Sequence, residues 1–290
     1  MFKYNITKFN DDFPDDTACL EWLKSHRYPD GIYCEKCGKV TSHYRIKERT
    51  CYSCYKCGTQ VYPMADTIYE KSTTSLKHWF YAMYLMANTR CGISAKQLER
   101  ELGVTYKTAW RIFHKIREMM YEEHDRSDTC DKTFELDETY IGGKKKGKRG
   151  RGSENKSIVF GMAQRKTKII AKHVDNAKSE TLLPIVAKNI QPHAIIYTDE
   201  FLSYNKLSKM DYYHEKIHHS NKEYVLGKIH TNNIEGFWSI VKRGINGVYH
   251  SVSSKHLQKY INEYVFRYNH RKEPGFMFYF LLCQASSSPC

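Results

Sequence analysis

Two copies of one short pattern set the first limit on how this chain can fold. Cys34-Glu-Lys-Cys37-Gly38 and Cys54-Tyr-Lys-Cys57-Gly58 each place two thiols on one turn, with a glycine where the backbone must swing away. Two such knuckles can face one ion through four thiolates, which is the closed tetrahedral sulfur set of structural Zn²⁺. The residues between them are long enough to supply the strands of a small ribbon. Ten cysteines in a short secreted chain would suggest disulfides. Here five of them fall between Cys34 and Cys57, and the start Met1-Phe-Lys-Tyr-Asn-Ile carries no apolar signal region, so a metal site in a reducing compartment is expected. The expectation is a zinc ribbon over residues 15–70, entered through an acidic helical lead at 15–24, and folded only with its metal. Cys51-Tyr-Ser-Cys54 is also a CxxC, so Cys51 stays open as a ligand in place of Cys57 or Cys54.

Residues 71–127 read as helical. Ser75 can cap a helix in which Leu76, Trp79, Phe80, Met83, Tyr84 and Ala87 recur at helical spacing. Ser94 and Gln97 then form a capping box ahead of an inner face of Ala95, Leu98 and Leu102. Gly103-Val104 makes a turn, and a second helix runs from Thr105 through Trp110, Ile112, Phe113 and Ile116. That is a helix-turn-helix pattern, whose second helix would enter the major groove of DNA and offer Tyr106, Lys107, Thr108 and Arg111. The charged stretch at 122–132 reads as a linker.

Residues 133–285 alternate strands and helices around three acids. Phe134-Glu-Leu-Asp-Glu-Thr-Tyr-Ile-Gly-Gly143 is a strand that delivers Asp137 and breaks at a double glycine. Strands over 157–164 and 168–174 follow, then a helix from Ser179 with Leu182, Leu183, Val186 and Ala187 inward. Ala194-Ile-Ile-Tyr-Thr-Asp199 is an apolar strand ending in an acid, and open α/β sheets place ligands at such strand ends. A short helix at 204–210 and a strand near 213–218 lead to His230-Thr-Asn-Asn-Ile-Glu235, where Asn233 is a reasonable N-cap. Ile234, Phe237, Trp238 and Val241 form the buried stripe of that helix, which leaves Glu235 and Lys242 together on an outer face, with Arg243 beside them. A last helix carries Leu257, Tyr260, Ile261, Tyr264, Val265 and Tyr268; beyond Pro274 the chain reads only as an aromatic-rich tail.

Each acid alone has an ordinary explanation as a surface charge or a helix-end charge. Together, Asp137, Asp199 and Glu235 offer hard oxygen ligands for Mg²⁺ (or Mn²⁺), in the arrangement that a two-metal phosphodiester site needs. Strand, strand, strand, helix, strand, helix, strand is also the order of the ribonuclease H-like fold. The net charge of +14, from 46 Lys plus Arg against 32 Asp plus Glu, fits a polyanionic partner. Part of it is concentrated beside the acids, as Lys144, Lys145, Lys146, Lys148, Arg149 and Arg151 among glycines, a loop expected to order on a DNA backbone. No apolar run reaches the roughly 18–20 residues of a membrane span, so no membrane partner is expected.

These motifs, in this order, resemble the DDE insertion-sequence transposases that carry an N-terminal zinc ribbon, the group related to eukaryotic Merlin elements. The resemblance rests on the ribbon cysteines, the helix-turn-helix at 92–115, Asp137-Glu-Thr-Tyr-Ile-Gly-Gly143, Tyr197-Thr-Asp199-Glu, His230-Thr-Asn-Asn-Ile-Glu235 with Trp238 and Lys242, and Tyr264-Val-Phe-Arg-Tyr-Asn-His-Arg271. It spans about residues 15–282. It implies a ribonuclease H-like catalytic domain over 133–285, behind the ribbon and the helix-turn-helix. It further implies Asp137, Asp199 and Glu235 as the triad, cleavage at the terminal inverted repeats of an element, and strand transfer into target DNA. Some relatives place an asparagine at the third metal position, which keeps Asn232 as a rival to Glu235. Pairing two element ends implies a homodimer or higher assembly, in the bacterial cytoplasm on the nucleoid, or in a nucleus if the source is eukaryotic. A DNA-binding regulator needs only the two reading modules, and a metal-dependent nuclease only the acids; both remain as alternatives.

Overall fold

The structure is a computed structural model that describes residues 4–121, 132–142, 156–165, 167–217, 230–273 and 275–287. It divides into two compact units, Met1–Met119 with Glu273–Cys290, and Met120–Lys272.

The first unit opens with α1 (Ile6–Asp12) and α2 (Asp16–Arg27), each started by an acceptor side chain: Asn5 for Lys8 N–H and Asp15 for Ala18 N–H. The ribbon follows, as the hairpin β1 (Tyr33–Cys34) and β2 (Lys39–Val40) and the three-stranded sheet of β3 (His43–Arg45), β4 (Tyr52–Cys54) and β5 (Gln60–Val61). Then come α3 (Leu76–Asn88), α4 (Ala95–Leu102) and α5 (Tyr106–Met119). Ser94 caps α4 by accepting from Gln97 N–H, and Gly103 turns the chain with φ +64°, where a glycine meets no steric cost. Ser75 stands at the expected helix start but does not cap it. Its hydroxyl donates to Asp16 Oδ1 at 2.6 Å, and the same Asp16 oxygen accepts from Lys77 N–H, so α3 is capped from α2.

The core of this unit is aromatic, and it is closed by the far end of the chain. The segment after Pro274, expected to be a plain tail, forms α9 (Met277–Ser286) and packs along α3. Phe278 is 1% exposed, with its ring 5.0 Å from Tyr4 and 5.8 Å from Phe9. The expected 133–285 boundary for the catalytic domain therefore runs past the observed division, because Leu281, Leu282 and Phe278 are core residues of the N-terminal unit.

The second unit is a five-stranded mixed sheet with helices on both faces. Its strands are β6 (Thr133–Ile141), β7 (Ser157–Gln164), β8 (Ile169–Val174), β9 (Ile195–Thr198) and β10 (Tyr213–Lys216), in the order β10-β9-β6-β7-β8. The first three form an antiparallel meander, and β9 and β10 run parallel to β6. This is the ribonuclease H-like order. Alternation along β6 sends Phe134 and Leu136 to one face, where they pack with Leu182 and Val186 of α6 (Ser179–Asn189). Glu135, Asp137 and Thr139 face the other side, under α7 (Asn232–Gly244) and α8 (Ser254–Asn269), whose Ile234, Trp238, Val241, Leu257 and Ile261 form the second core. Two short 3₁₀ turns, Leu202–Tyr204 and Leu207–Lys209, replace the expected helix at 204–210. Strand β8 is an edge, and α8 blunts it: Asn269 Oδ1 accepts from Ile169 N–H and Gln258 Oε1 from His173 N–H.

Candidate active site

The strand register brings two of the acids together. β6 and β9 are parallel, with Glu135 opposite Tyr197; carrying that register two residues on sets Asp199 beside Asp137, on the same face. Asp199 ends its strand in a turn, its Oδ1 accepting from Phe201 N–H at 3.0 Å. The third acid arrives on α7. Burial pushes the Asp137 carboxyl up to about 8, with further upward pressure from the charges of Glu138, Asp199 and Glu235. Asp137 therefore feels both of the other triad candidates, and the three carboxylates form one electrostatic cluster.

A groove of about 720 Å³ opens beside two of these acids, Asp137 and Glu235. Asp137, Thr139 and Glu235 stand at one end, and Trp238, Ser239, Lys242, Arg243 and Asn246 continue the wall along α7. Glu235, Lys242 and Arg243 are exposed, so the helix offers an acid at its first turn and two cations two turns on, as its outer face predicts. Asn232 is not part of this wall, whereas Glu235 is. The Trp238 ring packs against β7 at Gly161, the direct partner of Asp137; a Cβ there would stand 2.5 Å from Trp238 Cζ2. That contact sets how closely α7 can approach Asp137.

The start of α7 differs from expectation. Thr231 occupies the N-cap position, and Asn233 lies within the helix. Thr231 donates its hydroxyl to Glu235 Oε1 at 2.6 Å, and the first helix N–H groups are satisfied from the strand below. Glu135, fully buried, accepts from Asn233 N–H at 2.8 Å, Asn233 Nδ2 at 2.7 Å and Ile234 N–H at 3.2 Å. Arg165 Nε donates to the same carboxylate at 2.8 Å, and its Nη2 donates to His230 O at 2.8 Å. Glu135 and Glu138, the neighbours of Asp137 on β6 that the sequence does not single out for a role, are both buried. Glu138 points to the opposite face and accepts from the Tyr204 hydroxyl at 2.8 Å. The available signal was alternation: an acid two residues before Asp137 in an apolar strand lies on the same face and needs a partner.

The donor chemistry of the cluster fits hard divalent cations, since it gathers carboxylate oxygens whose mutual repulsion a cation would offset. The spacing is looser than in the ribbon. Among the described residues, the one group of metal-type donors lying within 4.8 Å of one another is Cys34, Cys37, Cys54 and Cys57. Cys34 Sγ and Cys57 Sγ are 3.4 Å apart, and Cys37 Sγ and Cys54 Sγ 3.9 Å, close to the edge of about 3.8 Å that Zn–S bonds of ~2.3 Å give a tetrahedron. The Thr41 hydroxyl beside Cys54 Sγ, at 3.2 Å, holds that thiol down to about 5, ready to ligate. Cys51 stands outside the quartet, buried and directed at Gln60 Oε1.

Of the expected DNA-facing residues, Tyr106, Lys107 and Arg111 are exposed on α5 and Thr108 is half-buried. Arg111 also donates to Thr74 Oγ1 at 3.2 Å, and Thr108 N–H is held by Thr105 Oγ1. Lys144, Lys145, Lys146, Lys148, Arg149 and Arg151 lie outside the described residues. No described helix is long and apolar enough to cross a membrane.

Comparisons with known proteins agree with the two folded parts. Residues 131–269 match the ISXO2-like transposase domain family, and residues 14–60 match the transposase zinc-ribbon domain. An uncharacterized protein in transposable element ISH50 of Halobacterium salinarum is 28% identical over 286 residues, covering 91% of this chain and 94% of that protein. An uncharacterized transposase-like protein of Haemophilus influenzae is 33% identical over 104 residues, covering 36% of this chain and 83% of its own length. Among solved structures, a pre-cleavage Mos1 transpososome aligns at 11% identity over 72% of this chain and 79% of that one, with a TM-score of 0.28, too loose to add to the strand order. On the family matches and the Haemophilus relative, the chain belongs to the insertion-sequence transposases that join a zinc ribbon to an ISXO2-like transposase domain.

Proposed function

We propose that the protein binds the terminal inverted repeats of its element, cuts DNA at the element ends and joins those ends to target DNA. What supports this reading is a groove lined by Asp137, Glu235, Lys242 and Arg243, with the charge of Asp199 acting on Asp137. Mg²⁺ or Mn²⁺ ions held by the three carboxylates would supply charge neutralisation on the scissile phosphate and activation of the attacking hydroxyl. The chain's own residues do the rest. Asp137 retains a proton near neutrality in the cation-free protein and releases it when ionisation is favoured. Lys242 and Arg243 lie where a phosphate backbone laid along the groove would meet positive charge. Glu235 is held in its orientation by Thr231.

Recognition is assigned to the N-terminal unit, with Tyr106, Lys107, Thr108 and Arg111 of α5 as base or backbone contacts and the ribbon as a second grip. The glycine-rich basic segment with Lys144 to Lys146, Lys148, Arg149 and Arg151 follows β6, two residues of chain beyond Ile141, and is assigned to the DNA backbone near the cut. Two ends must be joined in one event, so a homodimer or higher assembly on DNA is part of the proposal.

The test uses a labelled duplex carrying the element's flanking repeat, a supercoiled target plasmid, and the full-length protein with Mg²⁺ or with chelator. The reading expects Mg²⁺-dependent nicking at the repeat and covalent joining of label to plasmid. Nicking without joining would reduce the protein to a nuclease. Repeat binding with neither would make it a regulator.

A further inference from the structure

Asp137, Asp199 and Glu235 repel one another, and the acid on the helix has no strand register to hold it near the other two. Something must keep α7 seated against a cluster of its own charge sign. The first turn of α7 shows what does so. Glu135 is wholly buried and spends its two oxygens on α7: on the N–H groups of Asn233 and Ile234 and on the side-chain amide of Asn233. Arg165, which also draws in the His230 carbonyl just before the helix, balances the charge of that carboxylate. A carboxylate at the positive end of a helix is favourable, and here it is supplied from the strand that carries Asp137.

We propose that Glu135 is a positioning residue that sets the approach of Glu235 to Asp137, and so the capacity of the site for its cations. The proposal rests on the functional reading given above. The geometry is a clamp with two short arms. On the strand, Glu135 and Asp137 are two residues apart on one face, about 7 Å along β6. On the helix, Asn233 and Glu235 are two residues apart, about 3 Å of rise. Neither arm contains a flexible link. Holding the first turn of α7 at Glu135 therefore limits how far the Glu235 backbone can move from β6, and Gly161 beneath Trp238 lets the helix come down close to the strand.

The experiment compares full-length wild type with Glu135→Gln, Asn233→Ala and Asp137→Asn. Direct Mn²⁺ uptake is followed by the electron paramagnetic resonance of the free ion, alongside Mn²⁺-dependent nicking of end DNA and thermal melting. Glu135→Gln keeps the size and one acceptor but loses the charge and the second acceptor. The expected result is a rise in half-saturating Mn²⁺ of about ten-fold or more, the usual cost of removing a group that orients a ligand. Asn233→Ala, which leaves the backbone contacts in place, should give a smaller rise in the same direction. A purely structural role would lower the folded fraction and the maximal rate without moving half-saturation. That result, or wild-type half-saturation in Glu135→Gln, overturns the proposal. Wild type that takes up no Mn²⁺ beyond Asp137→Asn would overturn the site reading itself, a pattern distinct from failure of the clamp alone.

Discussion

In the ribbon, all four donor atoms come from two turns that close locally, and a single hairpin-and-sheet unit brings their sulfurs within 4.8 Å. In the sheet unit, the three acids come from one strand, the end of another and a helix nearly a hundred residues of sequence from the first, and they are less tightly gathered. The cysteines can share protons, and Cys54 is already biased towards thiolate by Thr41. Burial first, and then the charges of Glu138, Asp199 and Glu235, push the Asp137 carboxyl up to about 8. A site whose donors all sit on two short turns can be set by those turns. A distributed group of acids depends on contacts between its elements, and on the proposal above these are Glu135 and Arg165 at the start of α7 and the Gly161–Trp238 contact.

The largest expected break of this comparison is metal removal from the ribbon. Cys54→Ser or a strong chelator should unfold residues 31–62, because structural Zn²⁺ in so small a unit contributes about 10–16 kcal/mol to folding. The five-stranded sheet should persist, as circular dichroism and limited proteolysis would show; loss of both units together would mean that the two are not separable. Next, Asp137→Asn should lower end nicking by about a thousand-fold or more, the several kcal/mol that metal-based charge stabilisation supplies, with repeat binding retained in gel shift. Phe278→Ala should then destabilise the N-terminal unit by about 3–5 kcal/mol, lowering its melting transition while leaving Mn²⁺ uptake by the sheet unit unchanged. Gly161→Ala should cost about 1–3 kcal/mol by forcing Trp238 and Ile234 away from β7, and should weaken Mn²⁺ uptake as α7 lifts.

A pH slope, spread over several units, tests the electrostatic half of the comparison. Folded Asp137 titrates near 8 and an unfolded aspartate near 4, so between those values the native state binds the extra proton. Stability of the cation-free sheet unit should therefore fall as pH rises from about 4 to about 8, by up to about 1.4 kcal/mol per unit, and level off above. Denaturant melts across that range should show the slope in wild type and not in Asp137→Asn.

The same contrast explains what could be read from the sequence. The ribbon cysteines announce themselves because a CxxCG turn is complete within its own residues. The strands around Asp137 and Asp199 were legible from apolar runs ending in acids, and the α7 stripe of Ile234, Phe237, Trp238 and Val241 from its period. Capping was not legible. Glu135 rather than Asn233 satisfies the first N–H groups of α7, and Asp16 rather than Ser75 caps α3, because each cap is supplied by an element that sequence spacing does not place. Glu135 was hidden for the same reason: its partners lie on a helix 98 residues further along. The segment around Phe278 offered hydrophobicity without a partner, and only the folded N-terminal unit shows what it fills.

The measurement closest to the central claim is Mg²⁺-dependent nicking of end DNA by Asp137→Asn, Asp199→Asn, Glu235→Gln and Asn232→Ala, each with its repeat binding measured in parallel. If the three carboxylates act as one site, the first three variants lose nicking and keep binding, while Asn232→Ala stays active. Nicking that survives Glu235→Gln but is lost in Asn232→Ala would contradict the account and move the third ligand to the asparagine.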